Sequence, residues 1–331
     1  MKFKKLMIGI SLISLILTGC TIGDKQFVID ANNVGINDVF SINGTDCTIK
    51  EAKLYLCNYQ NLYGNEFGLD LWNRDFGEAT PEVSLETYVK DVTLSQLANI
   101  LCMNMLAEDR NIALSDKEQK NVEKAAEEYF ASLNKEEISY IGANITDIQG
   151  YYKKYAIAQK LYKTLTQGIN EEVSEDEARV IRVQQIFVTN TENATLVQQR
   201  LQEGGDFATL STTYNELPEI EITMARNSHP KEVEDIAFHL ENGQISEMIQ
   251  IEDGYYFLKC ISKYEAKLTE ENKANILIAR RKEQFDDVLT TFVKNSSYEL
   301  NENLWAKVKP DTSGAIQTDD FFAVYDKYFN E

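Results

Sequence analysis

The chain has 331 residues, 43% of them hydrophobic, with 33 Lys and Arg against 53 Asp and Glu, a formal net charge of −20 and only two histidines. Acid in such excess, without clustered Lys and Arg, excludes nucleic acid as a partner, because neutralising phosphates needs concentrated positive charge. Two histidines and five scattered cysteines give no metal-ligand or redox spacing, so neither metal nor cofactor is expected.

Lys2, Lys4 and Lys5 precede an apolar run over 6–17, too short for the ~20 residues of a membrane-spanning helix. Leu17-Thr18-Gly19-Cys20 closes the run. Small residues before a cysteine resemble the lipobox cut by signal peptidase II, which makes 1–19 a signal peptide and Cys20 the lipidated first residue of the mature chain. The alternative is a plain secretory signal in which Cys20 is incidental. Each buried CH₂ of an acyl chain contributes roughly 0.8 kcal/mol, so stable anchoring takes more than one chain. The acidic body would stand off anionic headgroups. Residues 20–37 mix Asp, Asn, Gly and Lys with single apolar residues and read as a lipidated cysteine followed by a flexible linker. About 310 residues remain, enough for two domains or one with an insertion.

A first region, 38–172, reads as helical. Residues 40–44 form a short strand running into a turn, and Thr48-Ile49-Lys50-Glu51 is a capping-box start for a helix to about Tyr63. Cys47 and Cys57 then lie within the entry to one helix. Outside the cytoplasm a disulfide between them is permitted, and buried free thiols are the favoured alternative for these two and for Cys102 and Cys260. Over 85–110, Leu94, Leu97, Ala98, Leu101 and Met105 recur at three- and four-residue steps, the mark of one buried helical stripe. Ser115-Asp116-Lys117-Glu118 is a capping box opening a charged helix to about Leu133, and Thr146-Asp147 opens another through Leu165. The aromatic stripe Tyr151, Tyr152, Tyr155 and Tyr162 reads as packing.

After Gly168 the texture changes. A capped lead-in at 174–177 precedes a β-branched strand at 181–188. Helices over 192–203 and 207–214 follow, separated by Gly204-Gly205 acting as a C-cap. A short strand near 220–224, a small helix at 233–240 and a hairpin pairing 248–251 with 255–261 complete the segment. This order describes a compact α+β domain over 173–265 inserted in a helical protein. Over 266–300 helical periodicity returns, with Ile276, Leu277, Phe285, Leu289 and Phe292, and would pack back on the first region, making it discontinuous. The tail, 301–331, with Trp305, Phe321, Phe322 and Tyr325, reads either as a docked segment or as a partly disordered client-binding arm.

This order, with several of its residues, resembles the PrsA and SurA group of secreted folding factors, in which a helical chaperone domain surrounds a parvulin-type peptidylprolyl isomerase domain. The first region is similar through Ile42-Asn43-Gly44, the run from Leu106 to Ile112, and Leu114-Ser115. In the second, Gln185-Ile186-Phe187-Val188, the block from Gly204 to Leu210, Ala237-Phe238, Gly243-Gln244-Ile245-Ser246 and the block from Gly254 to Lys259 match the parvulin pattern in order and spacing. The resemblance implies an α+β fold, a lipid-anchored place on the extracytoplasmic face of the bacterial cell membrane, and unfolded or nascent secreted polypeptides as partners. It also allows two copies to pair through their helical domains.

Prolyl isomerisation crosses a barrier of ~18–20 kcal/mol set by amide resonance, so an enzyme gains by holding a twisted amide in a shielded pocket. Parvulins are known for two histidines, a Cys or Asp, and a Met and Phe shelf for the proline ring. Every one of those positions is changed here. Gln185 and Tyr256 stand at the histidine positions, Leu217 at the Cys or Asp position, and His229 and Val233 at the shelf. The glycine-rich loop of the family is absent from a shortened 217–229 segment. Gln185, Leu217 and Tyr256 are therefore the family's catalytic positions in substituted form. Arg226, His229, Val233 and Phe238 are the candidate substrate contacts, with Phe238 at a family core position. Gln185 can donate and accept in place of a ring nitrogen, and Tyr256 offers a hydroxyl; alternatively both simply face a half-buried sheet. Leu217 makes no side-chain hydrogen bond at all. His229 is either a displaced acid or base or an ordinary turn histidine.

The expected function is a membrane-anchored folding factor with weak or lost isomerase activity. The alternatives are a fully active isomerase with substituted residues and a solute-binding lipoprotein, the last requiring two α/β lobes with parallel sheets.

Overall fold

The computed structural model describes residues 34–67, 85–311 and 313–330; the signal segment, Cys20 and most of the linker lie outside the described residues. The described residues divide into two compact units, those up to 167 together with those from 282 on, and residues 168–281. The fold is α+β, a largely helical first unit interrupted by a small sheet-based second one.

The first unit opens with β1 (Asp38–Ile42) and β2 (Thr45–Thr48), antiparallel and joined by Asn43 and Gly44 alone. Both turn residues have positive φ, 50° and 78°, the geometry that matches a two-residue hairpin to strand twist and that Asn-Gly tolerates best. Cys47 falls on β2, outside the helix in which it was expected, and Cys47, Cys57, Cys102 and Cys260 are all buried free thiols, so the disulfide alternative is set aside. Thr48 does cap the next helix, its hydroxyl accepting from the Glu51 amide at 3.3 Å.

Helices α1 (Ile49–Phe67), α2 (Leu85–Asp109), α3 (Asp116–Ser132), α4 (Lys135–Ile141) and α5 (Ile145–Leu165) follow. The Ser115 box is complete: Glu118 N donates to the Ser115 hydroxyl, and the Glu118 carboxylate accepts from Ser115 N at 2.7 Å. Helix α5 starts earlier than Thr146, because Asn144 accepts from the amides of Thr146 and Asp147 at 2.9 and 3.0 Å. Helix α4 was not anticipated; its own box, Asn134 with Glu137, starts it and Gly142 ends it after seven residues. The four tyrosines of α5 are all buried, as packing requires. Glu51 is buried with them and pairs with half-buried Lys154, whose Nζ lies 2.7 Å away; burial raises the Glu51 carboxyl above its usual range while Lys154 opposes the rise.

The second unit holds α6 (Glu175–Ala178), β3 (Ile181–Val188), α7 (Thr191–Gln202), α8 (Phe207–Tyr214), β4 (Glu221–Met224), α9 (Lys231–Ala237), β5 (Ile249–Ile251) and β6 (Gly254–Ser262). Its sheet runs β4-β3-β6-β5, antiparallel throughout. Strand alternation sorts its residues onto two faces. Ile186, Val188 and Phe257 pack with Ala194 and Val197 of α7 and Phe207 of α8. Val183, Phe187, Tyr256 and Leu258 pack with Val233 and Ala237 of α9.

Helix α10 (Ala266–Lys294) carries the chain back to the first unit, where β7 (Tyr298–Leu300) joins the free side of β1 and gives a sheet of order β2-β1-β7. After α11 (Glu302–Trp305), an irregular stretch leads to α12 (Phe321–Phe329), whose Phe321, Phe322 and Tyr325 enter the core beside Tyr55, Tyr59, Tyr129, Tyr152 and Tyr155. The tail is thus docked. Every described strand pair is antiparallel, which does not fit the parallel lobes of a solute-binding lipoprotein.

Candidate functional site

The site is built on the centre of the second sheet, where β3 lies between β4 and β6. Period-two alternation puts Gln185 on the face of Val183 and Phe187, and its register partner on β6 is Leu258. One pair along, Phe187 faces Tyr256, their ring centroids 4.7 Å apart. Gly254 permits this approach: a Cβ there would sit 2.5 Å from the Val188 carbonyl oxygen and 2.9 Å from the Phe187 ring. Gln185 and Tyr256 are both buried, at 4% and 8% exposure.

Gln185 is tied to the segment before β4. Its backbone N–H donates to the Ile220 carbonyl at 2.8 Å and its Nε2 to the Glu219 carbonyl at 2.9 Å. Its Oε1 is buried and has no hydrogen-bond partner among the described residues. An unmet buried acceptor costs about 1–3 kcal/mol, so this amide is held in place by its other end. Burial, then the charge of Asp253, raises the Tyr256 hydroxyl above the usual phenol value, keeping it protonated. Leu217 is partly buried against the same apolar cluster and brings no polar atom.

Sequence reasoning missed the residue that holds this segment. Asn215, the C-cap of α8, accepts from Phe187 N at 2.9 Å and donates to the carbonyls of Leu217 at 2.8 Å and Glu219 at 3.2 Å. Its signal was an Asn directly after a helix.

The turn between β4 and α9 carries the other candidates. Arg226 donates to both carboxylate oxygens of Asp176, at 3.1 and 2.9 Å, and its guanidinium lies 3.9 Å from the Phe238 ring centroid. Arg179 also reaches Asp176, at 2.8 Å, and lies 5.1 Å from the same ring. Stacking and ion pairing both fix the Arg226 head. His229 shares a 2.8 Å hydrogen bond with the Ser228 hydroxyl through Nδ1, and burial lowers its titration below the usual 6.5, against the pull of Glu234. Glu234, also missed from sequence, organises the turn: its carboxylate accepts from the amides of Asn227, Ser228 and His229 at 2.9, 2.7 and 2.9 Å. Val233 is fully buried and Phe238 nearly so, both inside the apolar cluster.

The structure therefore gathers Gln185, Leu217, Tyr256, Val233 and Phe238 around one apolar layer and sets Arg226 and His229 on the turn beside it. On the sheet face that layer offers an amide, a neutral phenol and hydrocarbon. None of the three is an acid or base near neutral pH. An open depression of about 380 Å³ lies elsewhere, along Thr191, Glu192, Thr195, Leu196 and Gln199 of α7.

Residues 171–275 match the family model described as PPIC-type PPIASE domain. Among curated proteins, foldase protein PrsA 4 of Bacillus cereus is 27% identical over 160 residues, covering 45% of this chain and 56% of that one. Foldase protein PrsA of Caldanaerobacter subterraneus is 25% identical over 209 residues, covering 57% and 61%. The chain thus spans about three fifths of the length of these relatives. Among solved structures, peptidylprolyl isomerase PrsA from Bacillus cereus is similar over 77% of this chain and 99% of that one, at 23% identity and a TM-score of 0.41. NmPin, the parvulin of Nitrosopumilus maritimus, covers 25% and 97%, at 24% identity and a TM-score of 0.23.

Proposed function

We propose that this chain, whose residues 171–275 match the PPIC-type PPIASE domain model and which is similar to curated PrsA foldases, works as a holding factor for unfolded secreted polypeptides with little or no isomerase activity. In this reading Cys20 carries the lipid that tethers the protein to the extracytoplasmic face of the cell membrane. Tethering raises the local concentration of a binder where secreted chains emerge, so holding is useful without turnover.

One observation carries the loss of catalysis. Where parvulins have two histidines and a Cys or Asp, this chain has a buried amide tied to the Glu219 carbonyl, a neutral phenol and a leucine. A twisted prolyl amide would find no charge on this sheet face to favour it over the planar one, Arg226 on the turn beside it being paired with Asp176, and only differential binding accelerates.

The buried, partnerless Gln185 Oε1 favours a second reading, an active isomerase in which this oxygen receives a hydrogen bond from the substrate. Protease-coupled, proline-limited refolding at several protein concentrations decides between them. Strong acceleration that disappears in Gln185→Ala and Tyr256→Phe would overturn the holding reading; an unchanged refolding rate supports it. The tether is tested separately. Cys20→Ala is expected to move the protein from the membrane fraction to the soluble extracytoplasmic fraction, and an unchanged distribution would remove lipid anchoring.

A further inference from the structure

The C-terminal segment of the first unit is held in an unusual way. The described residues between α11 and α12 form no regular structure, so their amides and carbonyls need partners from elsewhere. They find them on side chains of the helices. Glu137 accepts from the amides of Gln317 and Thr318 at 2.7 and 2.8 Å, and Asn61 donates to the Thr318 carbonyl at 2.8 Å. Asn58 accepts from Phe321 N at 3.0 Å, Tyr152 donates to the Phe321 carbonyl at 2.8 Å, and the Gln60 amide pairs with both main-chain groups of Asp311. Helices α1, α4 and α5 thus read the main chain of the segment, and main-chain contacts give affinity with little regard to sequence.

Two side chains anchor it. Phe321 stacks on Tyr152 with centroids 4.2 Å apart and planes 8° from parallel, and Phe322 lies 5.4 Å from Tyr59 and 5.5 Å from Tyr155. The fit is incomplete, because the Tyr55 hydroxyl in the same aromatic cluster is buried without a partner among the described residues. Main-chain hydrogen bonding with adjacent aromatic anchors is the chemistry an unfolded polypeptide presents.

We infer that α1, α3, α4 and α5 form a peptide-binding cleft, occupied by the chain's own residues 313–328, into which a segment of a non-native polypeptide bearing two adjacent aromatic residues at the start of a helical turn binds in their place. The inference rests on the holding function proposed above and gives it a site. The tail is then an internal competitor. Its high effective concentration lowers the apparent affinity for any single client segment by the fraction of time the cleft is open.

The test uses the full chain with a protease site replacing the exposed residues Ser313, Gly314 and Ala315, cut after folding and labelled at its C-terminus. Three peptides are added: residues 311–330, the same sequence with Phe321→Ser and Phe322→Ser, and an unrelated unfolded peptide with two adjacent aromatics. The first and third are expected to displace the label at similar concentrations with the helical circular dichroism unchanged, while loss of both anchors weakens displacement about 100-fold. Collapse of the helical signal on cutting, release of label only together with that signal, or displacement by the tail sequence alone would each overturn the cleft. Displacement by the tail sequence alone would mark a self-specific closure, of the kind two copies exchange. Aggregation suppression by the uncut chain is measured in parallel. Its absence sinks the holding function, whereas its presence without displacement by the third peptide sinks only this site.

Discussion

The two units place their buried polar groups differently. In the first, Asn58, Asn61, Glu137 and Tyr152 are buried and each meets the backbone of the C-terminal segment. In the second, the buried amide at the centre of the candidate site reaches the backbone through its nitrogen and leaves its oxygen unpaired among the described residues, as the Tyr55 hydroxyl is in the first. In the reading proposed above, the first unit's main-chain hydrogen bonds and aromatic anchors serve recognition, while the second unit offers an amide, a phenol and hydrocarbon where isomerisation would call for ionisable groups. Binding needs little chemical particularity; transition-state stabilisation needs a great deal.

The contrast is broken most severely by removing its strongest anchor. Phe321→Ala deletes a fully buried ring stacked on Tyr152 and should cost about 3–5 kcal/mol, read as a lower denaturation midpoint. A loss below about 1 kcal/mol would mean that the tail is not part of the core.

Next comes the ion pair of buried Glu51 with half-buried Lys154. Lys154→Met leaves the Glu51 carboxylate buried without its partner and should cost about 2 kcal/mol at neutral pH, less than a fully buried pair because Lys154 is reached by solvent. The sign of its pH dependence follows from the raised folded value. A folded state that holds its proton more tightly than the unfolded chain is favoured as pH falls through that value, so the deficit should shrink on acidification. A deficit that grows would contradict the assignment.

In the second unit, Glu234→Gln keeps the shape but removes the charge serving three amides, and should cost about 1–2 kcal/mol. Faster hydrogen exchange confined to Asn227, Ser228 and His229 would locate the effect, and unchanged exchange there would refute it. The smallest effect is a titration. His229 should show an NMR midpoint below 6.5, so its contribution to stability is complete above that pH and fades as pH falls toward the folded value. A midpoint above 6.5 would place the ring nearer to Glu234 than the structure does.

Local grammar made much of this fold readable. The Ser115 box sets α3, and strand alternation places Gln185 on the face of Phe187. Helix α4 escaped because seven residues carry barely two turns of periodicity, although Asn134 and Glu137 spell its capping box. Strand β7 escaped because three residues become a strand only by pairing with β1, far away in sequence. Docking of the tail was equally non-local, since Phe321 finds its partners on α1, α3 and α5. At the candidate site the placing of Gln185 on the first strand of the domain and of Tyr256 on its last was legible from spacing. The groups that hold it, Asn215 and Glu234, were not, because their partners are backbone amides and carbonyls that no side-chain pattern announces.

The central claim, holding without turnover, is tested most directly by one measurement: suppression by the full chain of aggregation of an unfolded client whose folding has no proline-limited step. The account predicts suppression rising with protein concentration and left unchanged by Gln185→Ala and Tyr256→Phe. Absence of suppression, or its loss in those two variants, would contradict it.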